Sequence, residues 1–303
     1  MVSVSLQDVS KSFGEVHAVD HLSARVPAGC IYGFLGPNGA GKTTTLRMIM
    51  DIIRPDAGRI EVLGQSSTSL PKARIGYMPE ERGLYRKMRV AKALAYFGAI
   101  KGVSSGELTE RVPRWLSRMG LTEWASRKVE ELSRGMHQKL QFAVTVINDP
   151  DLLILDEPFS GLDPVNLDLL KEIVVQVRGE GKTVIFSTHV MHEAENLCDF
   201  ILLIDKGRTV VDGTLDEIRA RYHTRAAMVE FEGDPELVES LPAVRALTRQ
   251  GRSWQIDLAD GTDHQDLLRQ LVGRVSVQGF EVKVPTLHEI FVHLVKGSDG
   301  QDR

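Results

Sequence analysis

Cysteine is nearly absent from this chain, with only Cys30 and Cys198 among 303 residues. They lie far apart, so neither a zinc-type spacing nor a Cys-x-x-Cys redox pair arises. Both sit in apolar runs, the pattern of buried free thiols in a reducing cytosol. Long apolar runs are missing too. Leu152–Leu155 and Phe200–Ile204 are typical of the longest, far short of a membrane span. Met1-Val2-Ser3-Val4-Ser5-Leu6 alternates like a strand, with no basic flank and no apolar core, so no secretory signal is expected. Any membrane role must then come through a partner. Nor is there a basic excess: net charge is −4, without a basic stripe, which argues against a nucleic-acid partner. Internal repeats and low-complexity tracts are absent as well.

What remains is an ordinary globular composition, 42% hydrophobic and 26% charged, long enough for one full-size domain and a smaller one. Val2–Leu6, Ile31–Leu35, Ile60–Leu63, Ile75–Met78, Leu152–Leu155, Val184–Ser187 and Ile201–Ile204 read as strands, several apolar throughout as strands buried on both faces are. Helical stretches alternate with them, which predicts an α/β fold with a mainly parallel sheet. From Val90 to Trp124 the pattern is purely helical. Val90, Leu94, Phe97 and Ala99 share one face, Leu108, Val112, Trp115, Leu116 and Met119 another, and Gly102, Ser104, Ser105 and Gly106 break the two helices apart.

Composition shifts after Tyr222. Val229–Glu232, Val244–Thr248, Trp254–Leu258 and Val275–Val284 read as strands, Glu236–Leu241, Asp266–Val272 and Leu287–Val295 as helices. That order predicts a small α+β domain of ferredoxin-like arrangement with an added terminal helix. Gly297–Arg303 is polar and expected to fray.

Gly36-Pro37-Asn38-Gly39-Ala40-Gly41-Lys42-Thr43 matches the phosphate-binding pattern G-x-x-x-x-G-K-[ST], and the loop runs on to Thr44. Glycines let the backbone wrap closely and aim N–H groups at phosphate oxygens. Lys42 would place its ammonium on the β- and γ-phosphates, Thr43 its hydroxyl on Mg²⁺, and the following helix its positive end on the phosphates. Chance alone yields the pattern in roughly 1% of chains this long, before its strand–loop–helix context is counted. The strand Leu152–Leu155 ends in Asp156 and Glu157, which a buried strand delivers to the carboxyl edge of the sheet, where ligands bind. Alone, the pair could be a solvated turn. Beside a phosphate loop, Asp156 would hold Mg²⁺, through water, and Glu157 would polarise the attacking water. The ligand implied is a nucleoside triphosphate.

Leu132-Ser133-Arg134-Gly135-Met136 resembles the signature loop of ATP-binding-cassette ATPases, usually Leu-Ser-Gly-Gly-Gln. Ser160-Gly161-Leu162-Asp163 resembles that family's D-loop, Ser187-Thr188-His189 its switch histidine, and Phe13 its adenine-stacking aromatic. These motifs, in family order, cover Val2 to about Tyr222. The resemblance implies a P-loop NTPase domain over 1–222 with a helical insertion at about 88–135, and an accessory domain over 223–303. It implies ATP at Phe13, the loop Gly36–Thr44, Ser133, Gly135 and Asp163; Mg²⁺ at Thr43, Asp156 and Glu80; and catalysis by Lys42, Glu157 and His189. Each motif has a plain structural reading as well: Phe13 as a core residue, His189 as a surface cap, Leu132–Met136 as a helix start capped by Ser133. Two positions depart from the family. Glu80 stands where Gln is usual, keeping an oxygen for Mg²⁺ but adding negative charge, and Met136 replaces the closing Gln.

Pro79-Glu80-Glu81-Arg82-Gly83-Leu84-Tyr85 and the ending Pro285-Thr286-Leu287-His288-Glu289-Ile290-Phe291 resemble the branch serving separately encoded export permeases, including sodium-extruding and drug-resistance systems. The implied partners are transmembrane permease subunits and a second copy of this chain or a similar subunit, since one chain holds one phosphate loop and one signature loop. The implied location is the cytoplasmic face of the cell membrane. Leu84, Tyr85, Met88 and Val90 are candidates to line the groove that meets the permease, with core packing the alternative for roughly half of them. The competing functions are a non-transport ATPase of the same superfamily and a module in which ATP only drives association.

Overall fold

The computed structural model describes residues 1–69, 72–81, 83–222 and 225–298, with the backbone alone over 295–298. The chain divides into two compact units, Met1–Leu215 and Asp216–Arg303.

The first unit opens with a long hairpin, β1 (Val2–Phe13) and β2 (Val16–Pro27). β3 (Ile31–Leu35) leads into α1 (Lys42–Ile49), followed by β4 (Ala57–Val62) and the short β5 (Gln65–Ser66). β4 and β5 return to the hairpin to make an antiparallel sheet in the order β2-β1-β4-β5. After β6 (Ile75–Met78) the chain leaves the strands for α2 (Val90–Ile100), α3 (Ser105–Arg118) and α4 (Arg134–Val146). It returns as β7 (Leu152–Asp156), α5 (Pro164–Gly179), β8 (Thr183–Thr188), α6 (Met191–Leu197), β9 (Phe200–Asp205) and β10 (Arg208–Gly213). The main sheet runs β10-β9-β3-β8-β7-β6, parallel except for the edge strand β10.

Side-chain alternation explains why the central strands carry no polar face. Leu153, Leu155, Val184 and Phe186 pack into one core with α2, α3, α4 and α5. Leu152, Ile154 and Ile185 pack on the opposite side into a second core with α1 and the antiparallel sheet. Each face is covered, so both registers of the pleat must be apolar.

Every strand expected in this unit is present, but β2, the two-residue β5 and β10 were not anticipated. β2 alternates buried and exposed residues from Leu22 to Val26, but the alternation breaks at Asp20 and His21, and its pairing with β1 slips register several times. Such bulges blur a period of two. Two helical details also differ from expectation. Ser105 and Gly106 belong to the first turn of α3, because Ser104 caps it by accepting the Glu107 N–H while the Glu107 carboxylate takes the Ser104 N–H at 3.1 Å. On α2 the buried stripe is Val90, Ala93, Leu94 and Gly98, and Ala99 is exposed. Cys30 is buried, Cys198 half-buried, and burial pushes the Cys30 thiol up to about 12. At the far end of α4, Lys101 Nζ donates to the Val144 and Thr145 carbonyls at 2.6 and 3.1 Å. Burial lowers its ammonium to about 8.

The second unit begins with most of α7 (Leu215–Arg221) and continues β11 (Ala226–Glu232), α8 (Pro235–Glu239), β12 (Val244–Gln250), β13 (Ser253–Leu258), α9 (His264–Leu271), β14 (Ser276–Val282) and α10 (Leu287–Ser298). The sheet order β12-β13-β11-β14, antiparallel throughout, is the ferredoxin-like arrangement. Ala227, Val229, Ile256 and Leu258 form its core with Val238, Leu241, Leu267 and Leu271. α10 extends through Gly297 and Ser298, which were expected to fray; the rest of that expectation, Asp299–Arg303, lies outside the described residues. No described helix is long and apolar enough to cross a membrane.

Candidate functional site

β3, β7 and β8 are parallel neighbours, with Leu35 opposite Thr188 and Asp156 opposite Ser187. Their carboxyl ends therefore deliver the loop after Leu35, the acids Asp156 and Glu157, and Ser187-Thr188-His189 to one edge. A cavity of about 570 Å³ lies there, lined by Phe13, Ala18, Asn38, Gly39, Gly41, Lys42, Thr43, Thr44, Glu80, Glu157, Ser160 and His189.

The loop's shape requires glycine at two points. A β-carbon on Gly36 would stand 2.1 Å from the Ile204 carbonyl oxygen, and one on Gly41 would stand 2.3 Å from that of Ala18. Both glycines have positive φ, 153° and 102°, where side chains are disfavoured. Ala40 is buried behind the loop, its carbonyl accepting the Gly207 N–H at 3.0 Å. α1 starts at Lys42, so its first-turn N–H groups lack intrahelical acceptors and its positive end faces the cavity.

Lys42 is 6% exposed, and its ammonium donates to the Gly36 and Pro37 carbonyls at 2.8 and 3.1 Å. Burial lowers its pKa, while Glu157, Asp156 and Glu80 act in the opposite direction. Glu157 Oε1 is 3.8 Å from Lys42 Nζ. His189 Nδ1 lies 3.0 and 3.1 Å from the two Glu157 carboxylate oxygens, which turns Nε2, the other ring nitrogen, away from that carboxylate.

Asp156 is fully buried beneath Thr43. Its Oδ1 accepts from Thr43 Oγ1 at 3.1 Å and from Ser187 Oγ at 2.6 Å, while Oδ2 has no hydrogen-bond partner among the described residues. A buried carboxylate oxygen without a donor calls for a cation. Three carboxylates surround one ammonium here, leaving two negative charges in excess before any phosphate arrives. One hydroxyl and sparse carboxylates suit Mg²⁺, which keeps waters and takes phosphate oxygens for its remaining ligands. No cluster of three His, Cys, Asp or Glu ligands occurs among the described residues, so a fully protein-ligated metal is not built here.

Not every expected site residue faces this cavity. Ser133, Gly135 and Asp163 form a second group at the starts of α4 and α5. Ser133 Oγ caps α4 by accepting the Met136 N–H at 3.3 Å. Asp163 caps α5 through the Asn166 N–H at 3.1 Å, and that bond holds its carboxyl below the usual range. A β-carbon on Gly135 would lie 3.1 Å from Asn166 Nδ2, so the two loops pack on each other. Of the candidate groove residues, Leu84 and Val90 are core, whereas Tyr85 is exposed and Met88 half-buried. Arg82, in the same motif, lies outside the described residues.

Ser187 was read only as part of a motif, but it does more. It donates to Asp156 and accepts the Glu157 N–H at 3.0 Å. The sequence carried no signal for this, because it depends on β7 and β8 pairing so that Ser187 stands opposite Asp156.

Residues 19–160 match the family described as ABC transporter, and residues 213–295 match the C-terminal domain of DrrA1-3-like ATP-binding proteins. The ABC transporter ATP-binding protein YhaQ of Bacillus subtilis is 38% identical over 292 residues, 96% of this chain and 98% of its own. The Nod factor export ATP-binding protein I of a Rhizobium species is 36% identical over 299 residues, 97% of each chain. A solved ATP-binding subunit of an ABC transporter superposes with a TM-score of 0.68 at 30% identity, covering 73% of this chain and 93% of that one. With relatives aligned over nearly their whole length and a glycine-rich loop, Glu157 and His189 lining one cavity, the chain belongs to the ATP-binding subunits of ATP-binding-cassette transporters and is an ATPase.

Proposed function

We propose that this subunit powers an exporter, hydrolysing Mg-ATP at an interface between two such chains and driving separately encoded membrane subunits from the cytoplasmic face. The observation that carries this reading is the separation of the site into two groups. The phosphate loop, Glu157 and His189 line one cavity, while Ser133 and Gly135 lie outside its lining in the same chain. A signature loop with no work in its own cavity is accounted for if it closes over nucleotide held by a partner. Export is favoured by the Nod factor export relatives, and a separate permease by the lack of a described membrane-spanning helix.

The adenine stacks on the exposed Phe13 ring, over which Lys11 Nζ lies at 5.5 Å. Phosphates settle against the loop N–H groups, and Lys42 exchanges its carbonyl partners for phosphate oxygens. Thr43, Asp156 and Glu80 would hold Mg²⁺, which would supply charge neutralisation to the nucleotide's phosphates. Glu157, steered by His189, takes the proton of the attacking water. His189 Nε2 is the ring atom left to meet the γ-phosphate. Asp163 and Ser160 belong to the loop that meets the second chain. Tyr85 and Met88 are the groove residues open to a permease.

Sedimentation of Glu157→Gln tests the shared site. A dimer in Mg-ATP and a monomer in Mg-ADP are expected; a monomer in saturating Mg-ATP overturns it.

A further inference from the structure

α4 touches parts of the site that the cavity keeps apart. Ser133 caps it and Gly135 lies in its first turn. Further along stand Gln138 and Gln141, three residues apart and so on one side of the helix. They are 6% and 4% exposed. Gln138 Nε2 donates to the Pro158 carbonyl at 2.9 Å. Gln141 Nε2 donates to the carbonyls of Pro79 at 2.8 Å and Glu81 at 3.2 Å. These carbonyls bracket the acids: Pro158 follows Glu157, and Pro79 and Glu81 flank Glu80. β6 and β7 are parallel neighbours, with Met78 opposite Leu155, so both loops leave the sheet side by side within reach of one helix face.

Both acids need holding. Glu157 has φ 48°, a left-handed conformation that side chains other than glycine resist. Its own N–H is pinned by Ser187 at 3.0 Å and the next carbonyl by Gln138, so both sides of the strained residue are fixed by side chains. Glu80 stands in a loop beyond the end of β6, with Gln141 on the carbonyls to either side. Gln141 Oε1 is buried without a partner among the described residues. An amide kept at the cost of an orphaned acceptor is kept for what it donates.

We infer that Gln138 and Gln141 are positioning residues for Glu157 and Glu80, making α4 one rigid piece with both acids of its own cavity. The inference rests on the roles proposed above for those acids. It ties the acids of one cavity to the orientation of the Ser133–Gly135 turn offered to the second chain.

Gln138→Met and Gln141→Met keep length and bulk while removing the donors. In the full chain, Gln138→Met is expected to lower kcat about tenfold with the KM for ATP unchanged. Gln141→Met is expected to raise the Mg²⁺ concentration for half-maximal turnover about fivefold, again without moving KM. Gln141→Lys restores the native Mg²⁺ dependence, because an ammonium can serve two carbonyls, as Lys101 does at the other end of α4. A purely structural role lowers the melting temperature and the active fraction but leaves the Mg²⁺ dependence of the surviving enzyme in place. If a methionine variant fails to fold, the alanine variant replaces it with the same expectations. Native kcat and native Mg²⁺ dependence in both variants, with Glu157→Gln inactive, overturn the inference alone. Native turnover in Glu157→Gln overturns the reading beneath it.

Discussion

The two units treat charge in opposite ways. In Met1–Leu215, Lys42, Asp156 and Glu157 are each less than a tenth exposed and gather where the parallel strands end. In Asp216–Arg303, no polar side chain among the described residues is buried to that degree. The ion pair of Arg269 with Asp266, at 2.7 Å, stands on the surface, where a pair contributes about 0–1 kcal/mol. Burying charge costs free energy that folding alone does not recover. The parallel sheet carries that cost at one edge, and the antiparallel sheet avoids it. The contrast marks where substrate charge is expected to complete the structure.

The contrast can be broken at several points, with falling effect. Lys42→Ala removes the one buried cation among three carboxylates, and turnover should drop about 10²–10³-fold together with ATP affinity, read by steady-state kinetics and equilibrium binding. Gly36→Ala sets a β-carbon 2.1 Å from the Ile204 carbonyl oxygen. It should cost about 3 kcal/mol in a urea unfolding midpoint. The same change at Gly251, φ 63° with open space around it, should cost about 1–2 kcal/mol and leave ATP binding intact. Ser187→Ala removes the bonds to Asp156 and Glu157, and kcat should fall about tenfold with a smaller loss of stability. Trp254→Ala, which takes away the stack on Phe231 at 5.9 Å between ring centroids, should cost about 1 kcal/mol and leave nucleotide affinity unchanged.

How much of this was legible in the residues differs along the same line. The central strands were readable because burial on both faces leaves an unbroken apolar run, as in Leu152–Leu155. The strand and helix order of the C-terminal unit was readable because its short elements alternate cleanly. β2 was not, because bulges and the exposed Asp8–His21 contact, 2.7 Å between Asp8 Oδ1 and His21 Nδ1, break its alternation. The phosphate loop and the acids announced themselves by composition at fixed spacing. The orienting roles of Ser187, Gln138 and Gln141 did not, since they depend on which strands and helices become neighbours. That some of Leu84, Tyr85, Met88 and Val90 pack inward was expected, but not which, because an apolar residue in a loop-like stretch reads the same whether it packs inward or lines a groove.

The most direct test of the account is Glu157→Gln, which keeps the size of the side chain while removing its basicity, assayed for Mg-ATP affinity and steady-state turnover in one preparation. Native affinity with turnover reduced about 10²–10⁴-fold is the expected result. Native turnover with nucleotide bound would contradict the placement of the hydrolytic base at the end of β7.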